Sequence, residues 1–365
     1  MARVAVVGLG NCASALVQGT HYYTDESVEE GLVRSRIGGL SIGDVSFVIG
    51  FDVDVRKIGW PIQKAIFKGP NCCKSLSPGV EHDVSGRFSG IVYAAPHLDG
   101  ISEHMSTEIE NDNERFMIDP RGCPSADIVH FADRLVESGA NVLINYLPVG
   151  SQKATEFWAE VCIAARVPMV NCIPVFIASD PAWNKKFRDN KVAVIGDDMK
   201  SQFGASVVSQ MLQELAELRG HRVKVHIQQN SGGNTDFLNM TNQDRLASKK
   251  ISKENVLRSH GIEPDYYHAG PADYIRVYGD TKVAHFRLEL EGFCKSPVLF
   301  DARLQVEDSP NSAGVVIDAL RYAITAQSRG MYGSLYGPSA FTQKSPPEQM
   351  GLLESVRACD EIAFE

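Results

Sequence analysis

The chain has 365 residues and a formal net charge of −9, with 44% hydrophobic and 22% charged residues. This composition predicts a globular protein of one large or two moderate domains, and its acidity makes nucleic acid and anionic membranes poor partners. No apolar run approaches the roughly 20 residues that span a bilayer, and no signal peptide is recognisable. We therefore expect a cytoplasmic protein whose eight cysteines are free thiols and which has no metal site.

The first part of the chain alternates buried strands with helices. Short apolar runs typical of parallel strands occur at 3–10, 45–54, 90–95, 141–150, 167–176 and 191–196. Helical patterns lie between several of them, at 12–23, 125–140 and 151–166. Strand alternating with helix predicts an α/β fold, a Rossmann-like doubly wound parallel sheet.

The pattern changes after about residue 200. A long amphipathic helix is expected over 201–220, followed by alternating apolar and polar runs at 222–233, 282–293 and 297–308. These runs predict an antiparallel sheet with one covered face. A helical pattern returns at 312–330. The expected domains are a discontinuous dinucleotide-binding domain, 1–200 with 310–365, and an inserted α+β catalytic and oligomerisation domain, 201–309.

A glycine motif of the GxGxxA type begins with Gly8 and Gly10 and continues through Asn11 and Cys12. It follows a predicted strand and precedes a helix, where the glycines would let a pyrophosphate approach backbone N–H groups. Asp52 ends the next strand and could bind ribose hydroxyls, although it comes later than the usual spacing. The alternative is a glycine turn with no ligand.

Two later groups of polar residues could either bind a ligand or cap a helix. Asp198, Lys200 and Ser201 come after the strand at 191–196, and Asn234 and Asp236 come before a short helix. Ends of strands in this fold face the ligand crevice, which favours a functional role. Helix capping is the alternative, and it has about equal weight for Asp197, the neighbour of Asp198.

Four lysines stand in turns or at the ends of predicted elements. Lys249 and Lys253 are four residues apart and would share one helix face, while Lys282 begins a strand and Lys344 precedes two prolines. Asp308 lies directly before a helix. A solvated basic face is the usual fate of such clusters, but crevice lysines also suit phosphate binding, oxyanion stabilisation and proton transfer.

The motifs resemble those of the myo-inositol-phosphate synthase family, of the shorter bacterial and archaeal type. In family order they are VVGLGNCASALVQG, YLPVGS, PVFIASDPAW, GDDMKSQFGA, GGNTDFLNM, SKKISK, DSPNSAGVVIDAL and KSPPEQ. The resemblance implies an NAD-dependent, redox-neutral isomerase that acts on a sugar phosphate, glucose 6-phosphate, in inositol and phospholipid biosynthesis. Oxidation at carbon 5, enolisation, aldol closure and re-reduction would yield 1L-myo-inositol 1-phosphate, and the family implies a homotetramer.

The resemblance also assigns site residues. The expected catalytic residues are Lys249, Lys253, Lys282, Lys344, Asp198 and Asp308. Lys249 would shuttle the proton of oxidation, Lys253 and Lys282 would face substrate oxygens and phosphate, and Lys344 would stabilise the carbon 1 oxygen. The expected NAD-binding residues are Gly8, Gly10, Asn11, Cys12, Asp52, Ala126, Tyr146, Ser201 and Asp236, and the expected substrate-binding residues are Asn234 and Lys200.

One departure from the family pattern leaves the substrate open. Pro61 stands where many family members have an aspartate near the adenosine, so Asp52 would carry that contact alone. A sister cyclase could use the same lysines to close fructose 6-phosphate into a five-membered ring. A non-catalytic NAD-binding regulator is a third interpretation, and the presence of all four lysines speaks against it.

Overall fold

The computed structural model describes residues 1–25, 28–107, 109, 111–119, 121–241 and 266–364. Lys249 and Lys253 lie outside these residues. Within the described part of the chain, no helix combines the length and the apolar character needed to cross a bilayer.

Strands and helices alternate through the first half of the chain. The described residues contain the strands β1 Ala2–Val7, β2 Val45–Asp52, β3 Ile91–Ala94, β4 Val142–Asn145, β5 Met169–Asn171, β6 Ala193–Ile195, β7 Arg222–Gly232, β8 Tyr266–Tyr274, β9 Thr281–Glu291, β10 Pro297–Glu307 and β11 Gly333–Ser334. Their helices are α1 Asn11–Tyr22, α2 Ile62–Ala65, α3 Glu103–Thr107, α4 Ile128–Ser138, α5 Gln152–Ala165, α6 Pro181–Asp189, α7 Ala205–Leu218, α8 Thr235–Asn239, α9 Asp308–Ser328, α10 Tyr336–Thr342 and α11 Leu352–Phe364.

The first sheet is parallel and doubly wound. Its order is β11-β6-β5-β4-β1-β2-β3, and every neighbouring pair is parallel. The order reverses between β1 and β4, the point at which such sheets open a ligand crevice. One buried apolar cluster packs α1 and α9 on one face, and a second packs α4 to α6 on the other. The predicted Rossmann-like fold is therefore confirmed.

The second sheet has the order β10-β9-β7-β8. The pairs β10–β9 and β9–β7 are antiparallel, as predicted for these three strands, and β8 joins the sheet parallel to β7. Strand β8 was not predicted, because it contains Gly270 and Pro271, two residue types that are depleted in strands.

The covered face of the second sheet packs against α7, where Phe286 and Leu288 of β9 form a small apolar cluster with Ala205. Most of β10 is exposed, including the apolar side chains of Leu299 and Phe300. One face of this sheet is therefore covered within the chain, as the alternating pattern predicts.

Helix α9 returns the chain to the parallel sheet. It begins at Asp308, directly after β10 ends at Glu307, and packs against α1 and against β4, β5 and β6. The predicted helix began four residues too late, at 312. The earlier start matters, because it places Asp308 at the junction of the two sheets, where a cavity opens.

Candidate active site

A cavity lies at the carboxyl ends of the parallel strands, between the glycine turn and the second sheet. Its lining includes thirteen of the residues that the sequence assigned to the site: Gly8, Gly10, Asn11, Cys12, Asp52, Tyr146, Asp198, Ser201, Asn234, Asp236, Lys282, Asp308 and Lys344. Residues from ten or more separate elements thus meet where the sheet order reverses, as expected for this fold.

The glycine turn leaves room for a ligand next to backbone donors. Gly8 has a φ of +83°, and a Cβ there would lie 2.7 Å from the carbonyl oxygen of Tyr146. Gly10 faces open space, since a Cβ there would meet nothing within 4 Å. Gly10 also precedes α1 without a side-chain cap, so the N–H groups at the start of this helix are open to an anion.

Asp52 is held by backbone donors around the glycine turn. Its Oδ2 accepts from the Leu9 amide at 2.7 Å, and its Oδ1 accepts from the amides of Val53 and Asp54 at 2.8 and 2.9 Å. Lys57, which the sequence analysis missed, lines the cavity beside it and donates from Nζ to the Leu9 carbonyl at 2.7 Å. Its nearness to Asp52 in sequence was the one available signal.

Asn11 ties the glycine turn to the second half of the site. Its amide nitrogen donates to Thr235 Oγ1 at 2.9 Å, and its oxygen accepts from the Cys72 amide at 2.8 Å. The neighbouring Cys12 thiol lines the cavity, and burial followed by the charge of Asp308 raises its pKa. Cys12 therefore remains a neutral thiol near pH 7 and is unsuited to act as a nucleophile.

Tyr146 presents a buried hydroxyl that has no hydrogen-bond partner in the described structure. The residue lines the cavity, and burial raises the pKa of its phenol well above the usual range. A buried donor without a partner is costly, which favours a ligand at this point. Ala126, by contrast, is exposed and absent from the cavity lining, so its assignment to cofactor binding is not supported.

The first lysine of the cavity is paired with a carboxylate. Lys282 Nζ lies 3.0 Å from Asp308 Oδ1, and Asn234 donates its side-chain amide to Asp308 Oδ2 at 3.1 Å. Burial opposes the charge of Lys282, but Asp308, with smaller contributions from Asp236 and Asp198, raises its pKa. Lys282 is therefore an ammonium group near neutral pH.

Asn234 serves two purposes at once. Its side-chain oxygen caps α8 by accepting from the amides of Asp236 and Phe237 at 3.1 and 3.2 Å. The amide nitrogen of the same side chain faces Asp308. Asn234 can therefore cap α8 and contact an acid of the cavity at the same time, so the two alternatives that the sequence offered do not exclude each other.

The second lysine of the cavity, Lys344, also has a carboxylate partner. Its Nζ lies 2.8 Å from Asp198 Oδ1, and its backbone amide donates to the Asp198 carbonyl at 2.7 Å. Asp198 has a φ of +64°, an uncommon conformation for a residue with a Cβ. Such strain often accompanies functional sites. The long-range pairing therefore fixes both the backbone and the side chain of Lys344.

Asp197 belongs to the framework rather than to the cavity lining. Its carboxylate accepts from the amides of Ile177, Ala178 and Ser179, and also from the Ser179 hydroxyl. Burial raises its pKa to about 6. The residue thus holds the loop after β5 against the segment that carries Asp198.

Lys200 corrects the sequence analysis. It is only 2% exposed and does not line the cavity, so it is not placed to bind substrate. Its Nζ donates to the Ala340 carbonyl at 2.7 Å, and burial lowers its pKa to about 8. Its amide pairs with the Thr342 carbonyl at 2.8 Å, which turns the side chain toward α10 instead.

Two further polar residues of the cavity were missed. Gln228 and Asn230 lie two apart on β7, are buried, and line the cavity. Gln228 accepts from Ser209 Oγ at 2.7 Å and donates to Asn230 Oδ1 at 3.1 Å. The signal was present in the sequence, because polar residues at alternate positions on the covered face of a strand require partners.

Comparisons with known proteins agree with this geometry. Residues 204–309 match the family model for myo-inositol-1-phosphate synthase. The inositol-3-phosphate synthase of Mycobacterium tuberculosis is 43% identical over 354 residues, which cover 95% of this chain and 92% of that protein. The crystal structure of Ari2 is 32% identical, with a TM-score of 0.75 over 100% of this chain and 99% of that chain.

A second solved structure supports the fold. The myo-inositol-1-phosphate synthase-related protein from Thermotoga maritima has a TM-score of 0.80 at 22% identity, over 100% of this chain and 98% of that chain. The overall fold of this chain is therefore shared with other solved proteins.

Proposed function

The chain belongs to the myo-inositol-1-phosphate synthase family, and from this premise we propose that it cyclises D-glucose 6-phosphate to 1L-myo-inositol 1-phosphate. It is an isomerase of the intramolecular lyase type, acting in inositol biosynthesis. The observation that carries the proposal is the presence of two carboxylate-paired lysines, Lys282 and Lys344, beyond the glycine turn of one cavity. The names of the relatives do not favour the five-membered-ring alternative.

We infer that NAD is the cofactor. The open turn at Gly10, the uncapped start of α1 and the unpartnered Tyr146 hydroxyl fit a dinucleotide. When bound, NAD would supply the acceptor for a hydride from carbon 5 and the donor that returns it. The backbone N–H groups of the turn would bind the pyrophosphate, Asp52 a ribose hydroxyl, and Cys12, Ser201 and Asp236 would line the remaining path.

Oxidation at carbon 5 requires a base for the hydroxyl proton. By family resemblance we assign this proton to Lys249, which lies outside the described residues. Lys282 stands as an ammonium beside Asp308, where it would stabilise the negative charge on the carbon 5 oxygen of the enolate. Lys253, also outside the described residues, would bind the phosphate.

Ring closure requires a cation at the carbon 1 aldehyde. Lys344 would donate a hydrogen bond to this oxygen as it becomes an alkoxide, and then a proton. Asp198 would orient the ammonium, since the two groups lie 2.8 Å apart. Asn234 would hold Asp308 on the substrate side of Lys282. Enclosure by the cavity walls would keep water from the reactive intermediates.

The two sheets suggest two domains with different functions. We propose that residues 1–200 and 310–365 form the NAD-binding domain, and that 201–309 form the catalytic domain. The exposed apolar side chains of β10, such as Leu299 and Phe300, suit an interface between copies of the chain. By family resemblance, we propose a homotetramer that works in the cytoplasm.

The reaction can be tested directly. The purified protein would be incubated with NAD and, separately, with glucose 6-phosphate or fructose 6-phosphate, and phosphorus and carbon NMR would follow the products. We expect an inositol monophosphate from glucose 6-phosphate and no accumulation of NADH. Turnover of fructose 6-phosphate alone, to a five-membered carbocycle, would replace the proposed substrate.

A further inference from the structure

Lys57 is a buried lysine at the nucleotide end of the cavity, and none of the proposed proton transfers uses it. It lies five residues after Asp52, in the loop that follows β2, and is 1% exposed. Its Nζ donates to the Leu9 carbonyl at 2.7 Å and lies 3.9 Å from Asp52 Oδ2. An ammonium group is costly to bury, so its position calls for a reason beyond packing.

The carboxylate of Asp52 has little capacity left for a cofactor. A carboxylate offers about four acceptor sites, two on each oxygen. The amides of Val53 and Asp54 occupy Oδ1, and the Leu9 amide occupies one site on Oδ2. One acceptor site remains, so Asp52 can accept from one ribose hydroxyl but not from two.

Lys57 has the donors that Asp52 lacks. An ammonium group carries three N–H donors, and one is used by the Leu9 carbonyl. The 3.9 Å separation from Asp52 permits charge attraction but is too long for a hydrogen bond. The residue lines the cavity, so its side chain borders the space that a ligand would fill.

We propose that Lys57 is a cofactor-binding residue whose ammonium donates to an oxygen of the adenosine ribose of NAD, and that Asp52 and Lys57 together select NAD over NADP. This inference rests on the proposed function for its cofactor. Asp52 accepts from one hydroxyl at its remaining site, and Lys57 donates to the other oxygen. The pair therefore recognises both hydroxyls of an unphosphorylated ribose.

Charge balance explains the selection against a 2′-phosphate. The buried carboxylate of Asp52 repels this phosphate, and it also balances the charge of Lys57. The other charged groups nearby, Asp54 and Arg56, are paired with each other. Burial lowers the pKa of Lys57, and the charges of Asp52 and Asp54 partly oppose that shift. Removing the Asp52 charge would leave an unbalanced ammonium beside the ribose, which would attract a phosphate.

A double-mutant cycle with two ligands tests this assignment. Titration calorimetry would give Kd for NAD and NADP with the wild type, Lys57→Met, Asp52→Asn and the double variant, each stripped of nucleotide with charcoal. Lys57→Met should raise Kd for NAD about tenfold or more, as expected for a hydrogen bond from a charged group. Asp52→Asn should shift preference toward NADP by about tenfold, and the double variant should lose that shift.

Other outcomes would overturn the inference. If Lys57 only supports the Leu9 carbonyl, Lys57→Met would weaken NAD and NADP equally, and the NADP preference of Asp52→Asn would survive in the double variant. An unchanged Kd for NAD in Lys57→Met would also overturn it. Lys57→Arg keeps the charge if the Met variant does not fold, and should retain NAD binding within a few fold.

Controls separate this inference from the proposed function. Lys64→Met removes a lysine of α2 that does not line the cavity, and it should leave both Kd values unchanged. A wild type that binds no NAD would refute the cofactor itself. A wild type that binds NAD and converts glucose 6-phosphate, with Lys57→Met binding equally well, would refute the role of Lys57 alone.

Discussion

The two ends of the cavity use different physical means. At the proposed nucleotide end, the polar groups are backbone amides of a glycine turn and a carboxylate, Asp52, that three amides already hold. At the lysine end, they are side-chain pairs, Lys282 with Asp308 and Lys344 with Asp198. The first end is shaped by local backbone geometry, whereas the second is assembled from distant parts of the chain.

This difference suggests that one end of the cavity binds the cofactor and the other end carries out the chemistry. Backbone donors are fixed in place and cost no reorganisation, which suits a cofactor that stays bound through the whole reaction. Paired lysines can exchange protons and respond to charge that develops on the substrate. Substitutions at the lysine end should therefore change turnover, and substitutions at the glycine turn should change cofactor affinity.

The largest effect is expected at Lys282. Lys282→Met removes the ammonium that is proposed to face the developing oxyanion, so turnover should fall about a thousandfold. NAD affinity should stay within twofold, because this lysine lies at the other end of the cavity. Steady-state rates with glucose 6-phosphate and calorimetric Kd values would measure both. Lys185→Met, at a lysine whose side chain is 73% exposed, is the control and should behave like the wild type. Turnover above a tenth of the wild type would contradict the assigned role.

A smaller loss is expected at Asp198, which acts through its lysine. Asp198→Asn keeps the size of the side chain but removes the charge beside Lys344, so kcat should fall about a hundredfold. The affinity for NAD should not change. Measured kcat, KM and Kd would separate these effects. A fall in NAD affinity as large as the fall in kcat would contradict the proposed separation of cofactor binding from catalysis.

The glycine turn offers a matched pair of substitutions. Gly8→Ala forces a Cβ to 2.7 Å from the Tyr146 carbonyl at a positive φ, so it should lower the melting temperature as well as NAD affinity. Gly10→Ala meets open space in the protein, so stability should hold while the Kd for NAD rises about tenfold. Thermal unfolding and calorimetry would test this. An equal fall in melting temperature in both variants would contradict the open space at Gly10.

The smallest expected effect is the pH dependence that Asp280 gives to the free energy of unfolding. Burial, with a further contribution from Asp308, raises the pKa of Asp280 from 3.8 to about 7. Its neutral form stabilises the fold at low pH, and this contribution is lost progressively as the pH rises from 3.8 to about 7. Between pH 5 and pH 6, the wild type should lose about 1 kcal/mol relative to Asp280→Asn. Urea unfolding at both pH values would measure it, and parallel curves would contradict the prediction.

Local patterns predicted the nucleotide end well. The apolar runs of the parallel strands and the glycine motif are continuous in sequence, so their period and spacing indicate sheet, turn and helix directly. Strand β8 of the second sheet was missed because Gly270 and Pro271 are residue types that argue against a strand. Lys57 was missed because its nearness to Asp52 was the one available signal, and nothing else distinguishes it from a surface lysine.

The lysine end depends on contacts that spacing cannot reveal. Lys282 and Asp308 are 26 positions apart, and Lys344 and Asp198 are 146 apart. The resemblance named these residues, but which acid holds which lysine required the structure. Lys200 illustrates the limit, because its direction is set by backbone pairing with Thr342, far along the chain, and not by its neighbour Asp198.

One measurement tests most directly whether both ends act on a single bound substrate and cofactor. Glucose 6-phosphate carrying deuterium at carbon 5 would be converted in the presence of unlabelled NADH, and mass spectrometry would read the product. If the hydride taken from carbon 5 returns from the same bound cofactor, nearly every inositol phosphate molecule keeps its deuterium. Product without deuterium, together with label in free NADH, would contradict the account.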